Sequence, residues 1–233
     1  MKIELKNLSL ELKPGARIKL LGDSITHGVG GIGFEQNGEH IVAEFSRSPG
    51  AYCWAKLFAE YMQKKYSISV VNNACTGTKI EFVIDNFDTL VDAEDDFVIC
   101  TIGTNNRHIY KNEGEKLSRE QMLSNFSQNI ARLREKFLSA GKKFVLIANI
   151  PASSANEKDG SDFWRILHMC DINDAYKKAE AEYGFPFISL YDRMNDYCEK
   201  NGVSLDTLLC DGLHPNNRGY DVMFELIKTA LGI

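Results

Sequence analysis

The chain has 233 residues, 44% of them hydrophobic and 25% charged, with a formal net charge of -5. These values fit one α/β domain over 1–233, large enough to bury a core without disulfide or metal staples. The mild acidity counts against nucleic acid or an anionic membrane as a partner, because both reward a basic face.

The opening residues, MKIELKNLSLELKPG, carry acidic side chains and no continuous apolar stretch, so they do not read as a secretory leader. Ile3, Leu5, Leu8, Leu10 and Leu12 alternate loosely. That spacing predicts an N-terminal extension over 1–15, an edge strand or small hairpin turning near Asn7 and closed by Lys13-Pro14-Gly15. Five short runs rich in β-formers follow: Arg17 to Leu21, Ile68 to Val71, Phe97 to Ile102, Phe144 to Ile150 and Phe185 to Leu190. Helical patterns lie between them. Tyr52 to Tyr66 repeats Trp54, Leu57, Phe58, Tyr61 and Met62 at helical spacing. Ser118 to Ala140 has Ser118 and Gln121 at capping-box spacing and stops at Gly141. Residues 163–183 and 216–231 are predicted helices as well. Strands alternating with helices imply βαβ units and a parallel sheet covered on both faces. The expected fold is a three-layer α/β/α sandwich, flavodoxin-like, with five parallel strands in the order 2-1-3-4-5. No apolar run is long enough to span a bilayer.

Two long loops interrupt this pattern, 28–49 after the first strand and 151–162 after the fourth. Loops of that length in a compact domain are often functional, and the first is expected to act as a lid or substrate-binding loop. Asp92, Glu94, Asp95 and Asp96 are expected to form a solvated turn before the third strand. Cys53, Cys75, Cys100, Cys170, Cys198 and Cys210 include no C-x-x-C pair. They read as reduced thiols of a cytoplasmic protein, not a zinc ribbon or redox motif.

In open parallel sheets, ligands bind beyond the carboxyl ends of the strands. The first strand leads into Gly22-Asp23-Ser24-Ile25-Thr26-His27-Gly28, and the second into Asn72-Asn73-Ala74-Cys75-Thr76-Gly77-Thr78. The third leads into Gly103-Thr104-Asn105-Asn106, and Asp211-Gly212-Leu213-His214-Pro215 precedes the last helix. This inventory suits acyl transfer. A serine hydroxyl is a poor nucleophile until a neighbouring base takes its proton. His214 can be that base and Asp211 can hold its tautomer. The backbone N–H groups of Ser24 and Gly77 and the Asn105 amide can receive the oxyanion. The plain alternative for Ser24 is a helix N-cap, for Asn105 a turn residue, and for His214 a surface histidine.

These four segments resemble the blocks of the SGNH/GDSL hydrolases. GDSITHG is similar to the nucleophile block, Gly77 in NNACTG to the second block's glycine, GTNN to the third block and DGLHP to the Asp/His block. They occur in family order along the whole chain. The resemblance implies a flavodoxin-like fold with Ser24 as nucleophile, Asp211 and His214 completing a triad, and Ser24, Gly77 and Asn105 forming the oxyanion hole. Two positions depart from the pattern. Asn106 stands where the family has Asp, and Ala74 where it often has Gly. The first is expected to alter loop hydrogen bonding while leaving the reaction class alone.

Gly28, Gly30 and Gly33 fit G-x-G-x-x-G, but a dinucleotide fingerprint should directly follow a strand and open a helix. The G-x-S-x-G elbow of α/β-hydrolases is absent around Ser24. Asp23, His27, Asp211 and His214 lack helical metal-ligand spacing, so no metal is expected. Asp23, His27, Arg107, His108 and Trp164 are candidate substrate contacts, with Arg107 able to meet an anionic group. Trp164 and Phe163 can stack on a sugar, line an acyl pocket or pack the following helix. His40 and His168 are expected at the rim or in solvent. The expected activity is hydrolysis of a small acyl ester, such as acetyl on a carbohydrate, through an acyl-enzyme on Ser24 and without a cofactor. An acyltransferase with the same triad is one alternative. A non-catalytic ligand- or nucleotide-binding protein on a flavodoxin-like sheet is another. The expected partner is a small-molecule or carbohydrate ester, with no nucleic acid and no membrane, and a homo-oligomer is compatible with the chain.

Overall fold

The computed structural model describes residues 1–34 and 51–233. Most of the loop 28–49, with its expected lid role, and His40 lie outside the described residues. The chain opens with an antiparallel hairpin, β1 (Lys2–Leu5) and β2 (Leu8–Glu11), that turns at Asn7 with φ 65°. Next comes the first sheet strand, β3 (Arg17–Gly22), and then β4 (Ser69–Asn72) and β5 (Phe97–Thr101). A short antiparallel pair, β6 (His108–Tyr110) and β8 (Phe163–Arg165), brackets β7 (Lys143–Ala148), and β9 (Phe187–Ser189) is the last strand. The five parallel strands lie in the order β4-β3-β5-β7-β9. Counted along the sheet strands alone, that is 2-1-3-4-5, as the βαβ pattern predicts.

Both faces of this sheet are apolar, which is why its strands read as near-continuous hydrophobic runs. Period-two alternation divides β5 between them. Phe97 and Ile99 join one core with Trp54, Phe58, Tyr220 and Ile227; Val98 and Cys100 join the other with Phe126, Leu133, Phe137 and Tyr176. The first face is covered by α2 (Trp54–Tyr66), α7 (Leu190–Asn201) and α8 (Asn217–Leu231). The second is covered by α3 (Ile80–Asp85), α4 (Phe87–Leu90), α5 (Arg119–Ser139) and α6 (Met169–Tyr183). Fully burying one large apolar side chain contributes about 1.5–3 kcal/mol, so each face is held by many such terms. The Ser118–Gln121 capping box forms, with Gln121 N–H donating to Ser118 Oγ at 3.2 Å and Ser118 N–H to Gln121 Oε1 at 2.8 Å.

Two expectations are corrected. The helix predicted from residue 163 starts only at Met169, and Phe163–Arg165 is β8. Backbone pairing with β6 overrides helix propensity there, and the His168 N–H donates to Asp171 Oδ2 at 2.8 Å as the helix begins. The acidic turn at 92–96 is not simply solvated. The Asp95 side chain is buried, its Oδ1 3.0 Å from Arg17 Nε and its Oδ2 3.6 Å from Lys19 Nζ. Lys19 is itself buried on β3, and Lys142 Nζ donates to the carbonyls of Asp92, Ala93 and Asp95. This ion cluster ties the amino ends of β3, β5 and β7 together, opposite the rim where the site lies.

Candidate active site

Where β3 ends, the chain makes a single helical turn, α1 (Ser24–His27). Asp23 is its N-cap, and its carboxylate accepts from Ile25 N–H at 3.0 Å. Ser24 thus begins a turn whose entry is fixed by the residue before it. Beneath it, Asp23 is fully buried. Asn149, the first residue beyond β7, donates through Nδ2 to Asp23 Oδ2 at 3.0 Å and to Thr104 Oγ1 at 2.7 Å. Burial pushes the Asp23 carboxyl above the usual carboxylate range, against the Thr104 hydroxyl and the Ile25 N–H, which favour its charged form. The turn is braced from outside as well. Tyr220 on α8 donates to the carbonyls of Ile25 (3.1 Å) and Val29 (2.6 Å), and Asn72 Nδ2 to that of Thr26 (2.9 Å).

Ser24 Oγ lies 2.8 Å from His214 Nε2, and His214 Nδ1 lies 2.6 Å from Asp211 Oδ2. With the ring proton on Nδ1 and donated to the carboxylate, Nε2 presents a lone pair to the serine hydroxyl. Asp211 Oδ1 accepts from the N–H groups of His214 (2.8 Å) and Leu213 (3.0 Å), which fold the loop back on itself. Partial burial opposes charge on Asp211, but the His214 N–H and ring hold its carboxyl below the usual range. The base loop is pinned at its ends, with Cys210 N–H donating to the His214 carbonyl at 2.9 Å and Ser153 N–H to the Gly212 carbonyl at 2.8 Å. Gly30 packs against it. A Cβ there would stand 2.5 Å from the Pro215 carbonyl oxygen, so only glycine permits the approach.

The other two loops converge on the same rim. Gly77 has φ 79°, which glycine adopts without strain. Cys75 N–H donates to the Gly22 carbonyl at 3.1 Å, holding the 75–78 segment against the start of α1. Asn105 lies on a 3-10 turn, Thr104–Arg107, and its Nδ2 donates to the Thr78 carbonyl at 3.0 Å. That bond uses one of the two amide protons. Asn106 joins the two loops differently. Its Oδ1 accepts from Ile80 N–H at 3.0 Å and its Nδ2 donates to Glu81 Oε2 at 2.8 Å. Ala74 is buried with φ outside the left-handed region, so a glycine is not required there.

The candidate substrate contacts separate into two groups. His27, on α1, keeps its Nδ1 3.1 Å from Thr76 Oγ1 and its ring edge-on to Phe34 at 5.2 Å, beside the site. Trp164 sits partly buried on β8, opposite Ile109 of β6. Asp23, Arg107 and His108 are buried. Arg107 is 1% exposed. Its Nε donates to the Thr104 carbonyl at 2.9 Å, Nη1 to Glu157 at 2.8 Å and Nη2 to Asn156 Oδ1 at 3.1 Å. Burial pulls its guanidinium down to about 10, still cationic near neutral pH. His108 is 8% exposed and packs edge-on to Tyr110, with Arg165 Nη1 donating to its Nδ1 at 3.2 Å. Sequence reasoning gave no role to Thr104, Asn149, Ser153 and Glu157, although Thr104 stands in the loop after the third strand and Ser153 and Glu157 in the loop 151–162. Gly28 of the G-x-G-x-x-G run closes α1 and follows no strand, so its context is not that of a dinucleotide site. Among the described residues, no group of three or more His, Cys, Asp or Glu side chains is placed to hold a metal ion. No helix among them is long and apolar enough to cross a membrane.

The model of the GDSL-like lipase/acylhydrolase family matches residues 20–222. No protein of curated function matches the chain by sequence. Solved structures share the fold. A lipase/acylhydrolase from Enterococcus faecalis is 20% identical, with 91% of this chain and 93% of that one covered and a TM-score of 0.63. An acetylxylan esterase from Geobacillus stearothermophilus is 18% identical over 95% of this chain and 97% of its own, with a TM-score of 0.68. An α/β hydrolase from the metagenome of Lake Arreo, Spain, is 16% identical over 95% and 97%, with a TM-score of 0.65. Catalytic mutants of the acetylxylan esterase replace a serine, an aspartate and a histidine, the last two three positions apart.

Proposed function

The chain belongs to the GDSL-like lipase/acylhydrolase family and is an ester-hydrolysing enzyme; from that premise we propose that it removes a small acyl group, acetyl borne by a carbohydrate, through an acyl-enzyme on Ser24. The observation that carries the reading is the continuous relay Ser24 Oγ, His214 Nε2, His214 Nδ1, Asp211 Oδ2, with contacts of 2.8 and 2.6 Å.

In this reading, Ser24 Oγ attacks the ester carbonyl carbon as its proton passes to His214 Nε2. Asp211 orients the ring and stabilises the imidazolium. The tetrahedral oxyanion is received by the backbone N–H groups of Ser24 and Gly77 and the second Asn105 amide proton. Collapse breaks the C–O bond, and the departing alkoxide takes the proton from Nε2. Water then attacks the acyl-enzyme with His214 again as base, giving the free acid and Ser24. No cofactor enters these steps. The spacing of Asp211 and His214 equals that of the aspartate and histidine in the acetylxylan esterase mutants, which supports their roles. The buried thiols of Cys53 and Cys100 fit the cytoplasmic reading.

Replacing Ser24→Ala is expected to abolish both p-nitrophenyl acetate hydrolysis and fluorophosphonate labelling with the fold retained. Undiminished turnover sinks the assignment of Ser24. Acetate release from peracetylated sugars, set against p-nitrophenyl esters of increasing chain length, tests the substrate class.

A further inference from the structure

The segment Thr76–Thr78 has a second role besides carrying Gly77 and accepting the Asn105 amide. Together with Lys79, Phe82, Tyr110 and Glu113 it lines a cavity of about 300 Å³. Tyr110 and Glu113 also line a second cavity, of about 560 Å³, together with Lys111, Asn112, Ser161 and Asp162. The two spaces therefore share Tyr110 and Glu113, and Gly77 lines only the first. Each has the size of a small-molecule site, about 300–1,000 Å³. We propose that they are consecutive subsites for the alcohol portion of the substrate, an oligosaccharide of at least two sugar units, with Tyr110 as the stacking platform between them. This rests on Ser24 and Gly77 marking the reacting end, as proposed above.

The lining chemistry selects the ligand. A sugar ring has an apolar C–H face and an edge of hydroxyls. The first cavity offers the Tyr110 ring together with the Thr76 and Thr78 hydroxyls and a Lys79–Glu113 ion pair at 3.7 Å. Phe82 adds a second aromatic ring, so the cavity can meet the apolar face of a sugar as well as its hydroxyl edge. Apart from Tyr110, the second cavity is walled by charged, amide and hydroxyl side chains, all able to meet sugar hydroxyls.

The walls are also preformed. Tyr110 packs edge-on to His108 at 4.9 Å and to Phe163 at 6.3 Å, with Lys79 Nζ 5.9 Å from its ring centroid. Lys111 Nζ donates to the carbonyls of Gly160 (3.1 Å) and Ser161 (2.8 Å), and Lys111 N–H to that of Asp162 (2.8 Å). A groove fixed in advance binds without an ordering cost.

Unacetylated sugars test occupancy apart from acyl chemistry. In isothermal titration, xylotriose or cellotriose is expected to bind the protein at least about tenfold more tightly than the matching monosaccharide. Tyr110→Ala and, separately, the half-exposed Glu113→Ala should each weaken that binding several-fold. With acetylated xylotriose, Tyr110→Ala should lower kcat/KM relative to p-nitrophenyl acetate by about tenfold, through KM. Indifference of the native protein to saccharide length in binding and turnover overturns the proposal. So does a steady rise in kcat/KM from p-nitrophenyl acetate to octanoate that Tyr110→Ala removes, since the cavities would then hold acyl chains. Saccharide binding that responds to both substitutions, without acetate release from any sugar, sustains the subsites and overturns only the acetyl reading.

Discussion

At the scale of single residues, the site combines one exposed acid with one buried one. Asp211 is half exposed yet held below the ordinary carboxylate range by the His214 ring and N–H. It therefore stays charged throughout the pH range in which an imidazole titrates, and it can stabilise an imidazolium over all of it. Asp211→Asn removes that charge and lets the amide donate to the wrong ring nitrogen. The expected result is a fall in kcat of roughly a thousand-fold or more on p-nitrophenyl acetate, with KM little changed. A loss expressed mainly in KM would mean that Asp211 contacts substrate and not the base. Asp23 has the opposite character. It is buried, capped by Ile25 N–H and held by Asn149, so it fixes where Ser24 stands without reaching solvent. Sequence alone could rank Ser24, Asp211 and His214 because the nucleophile type follows a strand and the orienter and base types sit together just before the last helix. It could not distinguish Asp23, Arg107 and His108 as inward-facing, because direction is set by partners as far away in the chain as Asn149 and Glu157.

At the scale of elements, periodicity reported the long repeats and missed the short ones. The five sheet strands and helices α2, α5 and α8 announce themselves through apolar spacing, because each buries a long face. Helix α7 does not, since only Leu190 and Met194 are buried in it. Its signals were the caps: Ser189 accepts from Asp192 N–H at 3.0 Å, and Gly202 closes it with φ 61°. The β6–β8 pair is three residues long on each side and exists only because the 151–162 loop returns alongside 108–110. The strut that holds that loop is Arg107. It links the turn bearing Asn105 to Glu157, whose other oxygen accepts from Met169 N–H at 2.9 Å, and to Asn156. Asn156 N–H in turn donates to the Ser153 carbonyl, two atoms from the contact with Gly212 in the base loop. Arg107→Met leaves the Glu157 carboxylate without its cation and should cost about 3–5 kcal/mol of stability in urea unfolding. Combining it with Glu157→Met should recover much of the loss, since the remaining pair of side chains is apolar. Equal instability of the single and double variants would show that the strut acts through packing, not charge.

At the scale of the whole molecule, carboxylates at both ends of the sheet and the buried His108 shape the response to acid. Asp92, at the amino ends, is held low by Lys19 and Arg17, and Asp211 at the rim is held low as well. Their stabilisation is present above the ordinary carboxylate range and disappears only as pH falls through their depressed values. His108 governs the milder range above it. Burial, reinforced by Arg165, Lys79 and Arg107 and opposed by Asp162, pulls its imidazole from 6.5 to about 4. Arg165 Nη1 donating to Nδ1 requires the neutral ring, so protonation would both desolvate a cation and break that bond. The unfolded chain takes up the proton first as pH drops below about 6.5, and the folded protein follows only near 4. Stability must therefore decline between those two values and level off below the lower one, by up to about 3 kcal/mol from this residue. His108→Asn retains an acceptor for Arg165 and cannot titrate. Chemical unfolding followed from pH 7 to pH 4 should show a shallower decline in that variant than in the native protein. A difference between the two that is constant across the range would assign His108 a packing role and remove it from the acid response.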